Sequence, residues 1–139
     1  MTYEEKGTWA YLVASVGVWV GYVVVLWQRA DGGSLADVAY VGPLLWAVGA
    51  SILANTVGRV LFEVVRPSES HQADVRDREV ARFGDHVGGI VLSVLVAGVL
   101  VLALVEAAHF WIANAIYAAF VIQVVVASVL KVVAYRRGL

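Results

Sequence analysis

The chain has 139 residues, of which 61% are hydrophobic and 15% are charged, whereas soluble proteins average roughly 25% charged residues. This composition indicates a single domain that resides in a lipid bilayer. The formal net charge of −1 provides no basic field for nucleic acid. Because the chain contains no cysteine, disulfides, thiolate metal sites and thiol chemistry are excluded.

Four apolar segments each match the hydrocarbon core of a bilayer, since about 20 residues rising 1.5 Å each cover roughly 30 Å. We predict an all-α fold, in which four transmembrane helices form an antiparallel bundle. The spans are predicted at about 8–28, 41–62, 87–105 and 110–133, with a central loop at 63–86. A single integral membrane domain then covers the chain.

The first predicted span contains Gly17 and Gly21, a GxxxG pair. Such a pair lets another helix approach closely, because helices in lipid associate mainly through packing. Glycine is also frequent in transmembrane helices without this role, and the contact could lie within or between chains. Gly84 and Gly88 repeat the spacing where the third span begins, on a face predicted to be buried against another helix. These small-residue faces lead us to expect a homo-oligomer.

The connection between the first two spans, 29–40, contains a Gly-Gly pair and two aspartates. Glycine and aspartate favour turns because they tolerate backbone conformations that other residues avoid. The sequence therefore predicts a short exposed loop here.

Polar side chains recur at every fourth residue along the inner half of the second span. They are Ser51, Asn55, Arg59 and Glu63. This spacing places them in one stripe along a helix, and a charged group in hydrocarbon costs about 2.5–3.5 kcal/mol, so it normally faces protein or water. One interpretation is structural, with Arg59 paired to Glu63 and Asn55 bonded to a neighbouring helix. The alternative is a polar vestibule that opens inward, completed by Ser128 and Lys131 of the fourth span.

The longest polar stretch, 59–86, holds five of the ten Lys and Arg residues and six of the eleven Asp and Glu residues. Asp74 is a candidate N-cap for a helix that runs unbroken into the third span and extends it into the cytoplasm. Candidate residues for a cytoplasmic interaction are Asp74, Arg76, Asp77, Arg78, Glu79 and Arg82. Arg82 also precedes Asp85 at ion-pair spacing. Exposed pairs contribute only about 0.2–1 kcal/mol each, so a solvated helical face explains these charges without any chemistry.

Positive charge is divided unequally between the two predicted sides of the membrane. The side with both termini and the central loop carries nine Lys or Arg residues, and the opposite side carries only Arg29. Basic residues favour the cytoplasmic side. We therefore predict a multi-pass protein of the cell membrane with both termini in the cytoplasm.

Three histidines are present, and none lies in the middle of a predicted span, so a bis-histidine haem within the bundle is not expected. Glu106 with His109, and His71 with His86, have spacings that could share a proton or a metal. Two such ligands arise readily by chance. Since the sequence shows no catalytic triad, phosphate loop or zinc motif, we expect no catalytic residues, no metal site and no cofactor.

One charged run leads into the third span in an Asp-x-Arg-Asp-x-Glu pattern. It consists of Asp74, Arg76, Asp77, Arg78 and Glu79. In this run and in its layout, the chain resembles uncharacterised small bacterial four-helix integral membrane proteins with such a central cytoplasmic loop. The resemblance implies the topology and no particular activity. The first span lacks the embedded glutamate that marks small multidrug-resistance exporters.

Two functions fit these features. The first is a non-enzymatic association or regulatory module that acts through its helix faces and charged cytoplasmic loop. Its partners would be the lipid bilayer, further copies of the chain and a cytoplasmic protein. The alternative is a small oligomeric transporter or channel with an inward-facing polar vestibule. We favour the first, because no ionisable residue lies at mid-membrane and the outer halves of the spans are nearly apolar.

Overall fold

The computed structural model of the protein describes residues 3–65 and 75–138. These residues form four long helices, with a short 3-10 helix, Leu35–Asp37, in the first connection. The helices are α1 (Tyr3–Ala30), α2 (Val41–Val65), α3 (Val75–Leu104) and α4 (His109–Arg137). No strand occurs in the described ranges. The predicted all-α fold with four long apolar helices is confirmed.

All four helices are long and apolar enough to cross a membrane. The segments that meet this requirement are Glu4–Ala30, Val41–Gly58, Val75–Leu104 and His109–Arg137. Large apolar side chains cover the outside of the molecule, and Trp46 of α2 is 82% exposed. Continuous apolar surface of this kind is rare on soluble monomers but is the normal surface of a helix in lipid. The chain therefore has the character of a multi-pass membrane protein.

Helix α3 is continuous from its charged beginning to its apolar end. Its first two turns contain Arg76, Arg78 and Glu79, all exposed, and its second half is almost entirely aliphatic. Asp74, the expected N-cap of this helix, lies outside the described residues. A single rigid element thus joins the charged segment to the apolar span that follows it.

The helices pack side by side in the order α3, α4, α1, α2. Within the described residues, extensive contacts between helices occur only for α3 with α4, α4 with α1, and α1 with α2. Helices α2 and α3 therefore lie at the two ends of the row. Gly84, near the start of α3, lies beside Lys131, near the end of α4, and Gly88 lies beside Ala127. At this contact, α3 and α4 therefore run in opposite directions.

Two glycines make the close contact between α3 and α4 possible. A Cβ atom at Gly84 would lie 2.7 Å from Lys131 Cγ and 3.0 Å from the Ala127 carbonyl oxygen. A Cβ atom at Gly88 would lie 3.0 Å from Ala127 Cβ. Real Cβ atoms rarely come so close to other atoms, so larger residues here would push the helices apart.

The turn between α3 and α4 is a Schellman motif. The Ala107 N–H donates to the Leu102 carbonyl at 3.0 Å, and the Glu106 N–H donates to the Ala103 carbonyl at 3.1 Å. This pattern requires a left-handed residue, usually glycine, and Glu106 takes that role with φ 55°. The turn is so short that α3 and α4 must be neighbours.

The first connection is more ordered than an exposed loop. Leu35, Ala36 and Val38 are half-buried and pack against a cluster that includes Tyr22 and Phe110. Tyr40 meets Phe110 edge to face, with ring centroids 5.2 Å apart. The glycines and aspartates do form turns, with Asp31 and Gly32 at positive φ, but the apolar residues after them fold the segment back onto the helix ends. This connection therefore covers one end of the helical row.

Candidate functional site

The polar stripe of α2 borders a groove between α1, α2 and α4. This lateral groove has a volume of about 510 Å³ and is lined by Ser15 of α1, by Ser51 and Asn55 of α2, and by Tyr117 and Val121 of α4, among others. The groove exists because α2 packs extensively on α1 but not on α4. A gap therefore remains between α2 and α4, beside α1. Its walls are mainly aliphatic and aromatic.

Asn55 is half-buried and hydrogen-bonded to its own helix. Its Nδ2 atom donates to the Ser51 carbonyl oxygen at 2.8 Å, a bond to the residue one turn earlier. The helix continues through Arg59 and Glu63, but the side chains of these two residues lie outside the described part of the structure. The expected Arg59 to Glu63 pair is therefore a prediction that the structure leaves open.

Lys131 and Ser128 are not brought to this groove. Lys131 Nζ binds Asp85 Oδ1 of α3 at 2.7 Å, and its stem covers Gly84. Val124 is the last residue of α4 that lines the groove, and Lys131 lies seven residues further along the helix. Seven residues correspond to about 10 Å of helix. Ser128 is buried, with 3% of its surface exposed. The six residues of the proposed vestibule thus do not form one continuous lining in the described structure.

Arg82 precedes Asp85 at ion-pair spacing within α3, but Asp85 forms an ion pair with Lys131 of α4. The Asp85 side chain is 64% exposed and the Lys131 side chain 22%. The close approach at Gly84 brings the two helices near enough for the lysine to cross. This ion pair therefore links α3 to α4, and helical spacing within α3 could not predict it.

A second ion pair joins the beginning of α1 to the end of α4. Arg136 Nε binds Glu5 Oε1 at 3.0 Å, and the Glu5 side chain is only 6% exposed. Tyr135 also lies close enough to Asp77 and Glu4 to interact with both electrostatically. The starts of α1 and α3 and the end of α4 therefore meet at one end of the molecule. The sequence gives one signal for this pair: acidic residues in the first turn of α1 and basic residues in the last turn of α4.

A polar contact links α1 to α4 deeper in the bundle. The Tyr22 hydroxyl donates to Asn114 Oδ1 at 2.6 Å, and the Tyr22 ring meets the Tyr117 ring edge to face at 5.4 Å. The Tyr117 hydroxyl is buried and has no hydrogen-bond partner among the described residues. Two tyrosines in one cluster thus differ sharply in how their hydroxyl groups are satisfied.

The glycines singled out in α1 make no close contact with another helix among the described residues. Gly17 and Gly21 are exposed, and a Cβ atom at either position would meet no described atom of another element within 4 Å. Gly84 and Gly88, by contrast, are buried against α4. The two small-residue pairs therefore occupy different environments, one internal and one on the surface.

The charged start of α3 presents most of its side chains to solvent. Arg76, Arg78, Glu79 and Arg82 are exposed, and Asp77 is half-buried. At the other connection, Glu106 and His109 are both exposed. His86 is exposed as well, while its expected partner His71 lies outside the described residues. Within the described ranges, no group of three or more His, Cys, Asp or Glu side chains could hold a metal ion.

Together these features define a multi-pass helical membrane protein with a lateral groove whose described lining residues are uncharged. No protein-family model, no curated protein and no solved structure matches the chain.

Proposed function

We propose that the protein is a non-enzymatic association module of the cell membrane, which self-assembles through the exposed side of α1 that carries Gly17 and Gly21. The observation that carries this proposal is that Gly17 and Gly21 form an exposed close-approach surface that no other helix of the described chain covers. In lipid, such a surface favours a second helix, because glycines allow backbone-to-backbone packing.

The proposed topology has both termini and the charged start of α3 in the cytoplasm, with the four helices antiparallel. The nine-to-one division of basic residues supports this orientation. The Glu5 to Arg136 ion pair supports a common side for the two chain ends. In this arrangement, the exposed Arg76, Arg78 and Glu79 would face a cytoplasmic protein partner. The Asp-x-Arg-Asp-x-Glu run, of which Asp74 lies outside the described residues, remains the basis of the proposed resemblance to small bacterial four-helix membrane proteins.

The test measures self-association of the full chain in lipid. Donor-labelled and acceptor-labelled copies are mixed in bilayers at several protein-to-lipid ratios, and energy transfer is recorded. Gly17→Leu and Gly21→Leu should weaken association by about tenfold, because leucine keeps the backbones apart. Gly98→Leu is the matched control, since a Cβ atom at Gly98 of α3 would also meet no described atom of another element within 4 Å. Energy transfer that matches random proximity at every ratio would show that the protein is a monomer and that the proposal is wrong.

A transporter or channel is the second candidate, and one observation favours it. Ser51 and Asn55 do line a groove in the membrane-spanning part of the chain. The described lining residues are uncharged, however, and Lys131 binds Asp85 elsewhere. Ion flux through the protein therefore ranks below association.

A further inference from the structure

We propose that the lateral groove binds an uncharged lipid whose head group carries hydroxyl or ester oxygens, with the Asn55 amide as its polar contact. This inference goes beyond self-association, because it concerns a small molecule in a different part of the surface. It rests on the opening of the groove, the chemistry of its lining and the hydrogen-bonding capacity of Asn55 that no described residue uses.

The groove is open to molecules dissolved in the membrane. It lies beside α1 in the gap between α2 and α4, two helices that make no extensive contact in the described structure. A ligand would therefore enter sideways from the bilayer. Its volume of about 510 Å³ falls within the range of roughly 300–1,000 Å³ that is typical of small-molecule sites.

The lining selects against a charged ligand. The polar groups of the described lining are the hydroxyls of Tyr11, Ser15, Ser51, Thr56 and Tyr117 and the amide of Asn55, and no charged residue is among them. A charge moved into such surroundings would lose its hydration without gaining a partner of opposite charge. Aliphatic side chains such as Val121 and Val124 complete the walls and suit an acyl chain.

Asn55 supplies the reason for a polar head group. A side-chain amide offers two N–H donors and a carbonyl acceptor, and the one hydrogen bond of Asn55 within the described residues runs from Nδ2 to the Ser51 carbonyl oxygen. No described residue bonds the second N–H or the Oδ1 atom, at a position where the hydrocarbon offers no partner. A hydroxyl group can donate to Oδ1 and accept from Nδ2, so a glycerol-type head matches both, whereas a plain hydrocarbon matches neither.

The experiment uses three photoreactive probes with the same chain, added to the full-length protein in bilayer nanodiscs. One probe is a monoacylglycerol, one is the corresponding fatty acid anion, and one is the hydrocarbon without a head group. Labelled positions are mapped by mass spectrometry. The monoacylglycerol should label the groove segments of α2 and α4 at least fivefold more than either of the other probes.

Variants separate specific binding from general contact with lipid. Asn55→Leu should reduce monoacylglycerol labelling at the groove at least fivefold, to the level of the hydrocarbon. Ser93→Leu is the control, because Ser93 also donates to the carbonyl of the preceding turn, that of Gly89, but lies outside the groove. If Asn55→Leu does not fold, Val48→Phe serves instead, since Val48 lines the groove and is 38% exposed, which leaves room for the ring to occupy the site.

Three results would overturn the inference. Equal labelling by all three probes would mean ordinary lipid contact, and stronger labelling by the fatty acid would mean an anionic site. Crosslinks between two copies at the groove, with no lipid labelling there, would mean that a second chain fills it. Because labelling and self-association are measured separately, a monomeric protein that still binds monoacylglycerol at Asn55 would disprove association and leave the lipid site intact.

Discussion

The Tyr22 hydroxyl of α1 donates a 2.6 Å hydrogen bond to Asn114 Oδ1 of α4, and the Asn114 amide donates in turn to the Phe110 carbonyl oxygen at 2.8 Å. Tyr22 is also one of the few large side chains that are almost fully buried, with 4% of its surface exposed. This contact fixes the rotation of α1 against α4, because a hydrogen bond between helices in lipid forms only when both side chains face the interface.

Removal of this hydrogen bond should destabilise the fold. We expect Tyr22→Phe to lower the free energy of unfolding by about 0.6 kcal/mol, the mean for hydrogen bonds between transmembrane helices, and by no more than about 1.7 kcal/mol, the maximum. Tyr117→Phe is a matched control with the opposite expectation. Its hydroxyl is buried without a partner among the described residues, so its loss should be neutral or stabilising. Reversible unfolding in mixed micelles measures both, and equal losses of stability for the two variants would contradict this account.

The α3 to α4 interface should tolerate no added Cβ atom. Gly88→Ala would place a methyl group 3.0 Å from Ala127 Cβ, and overpacking of this kind costs about 1–3 kcal/mol. The neighbouring Gly89→Ala is the control, because no described atom of another element lies within 4 Å of its Cβ position. We expect Gly88→Ala alone to lose stability in the unfolding assay. A stable Gly88→Ala variant would mean that the helices do not pack so closely.

The four long helices could be predicted from the sequence, because the apolar run that specifies each helix is a local feature. An apolar run of sufficient length specifies a transmembrane helix almost independently of its neighbours, and all four follow from such runs. The continuous helix α3, Val75–Leu104, was likewise predictable, because its charged turns carry no breaking residue before the apolar part begins.

The side-chain contacts between helices were much harder to predict from the sequence. The sequence predicts that Lys131 lies with Ser51 and Asn55, because all three are polar and near one membrane face, yet Lys131 binds Asp85 of α3. Such a pairing depends on the rotation and vertical offset of α3 against α4. The sequence predicts that the face of Gly84 is buried against another helix, but not that Lys131 lies against it. The folding of Leu35 and Val38 onto the helix ends was missed for the same reason, since their burial depends on the Tyr22 and Phe110 surface beneath them.

The Asp85 to Lys131 pair should contribute modestly and depend on salt. Asp85 is 64% exposed in its side chain, so water screens the interaction, and a coupling of about 0.2–1 kcal/mol is expected. A double-mutant cycle of Asp85→Asn and Lys131→Met measures it, with Glu79→Gln as the control for loss of an exposed acid on the same helix. The coupling should shrink at high salt. A zero coupling at low salt would show that the pair is not formed in the membrane.

The proposed topology can be tested without background, because the chain contains no cysteine. Cysteines introduced at Ser34 and at Glu79 are both on exposed positions, in the first connection and at the start of α3. In intact cells, an impermeant thiol reagent should label the first and spare the second, and both should react after the membrane is opened. Labelling of position 79 alone in intact cells would show that the orientation is the opposite of the proposed one.

Anion flux distinguishes the association module from a transporter or channel. A vestibule built on Arg59 would attract an anion, since an unpaired cation in the membrane is costly and requires a negative partner. Lys131 cannot act in the same way, because Asp85 already neutralises it. We expect liposomes with the wild-type protein, Arg59→Gln and Lys131→Gln to show the same anion flux as liposomes without protein, while Lys131→Gln is somewhat less stable. Flux above that background in the wild type, abolished by Arg59→Gln at equal folding but retained by Lys131→Gln, would establish a conducting vestibule on the α2 stripe and overturn the association-only function.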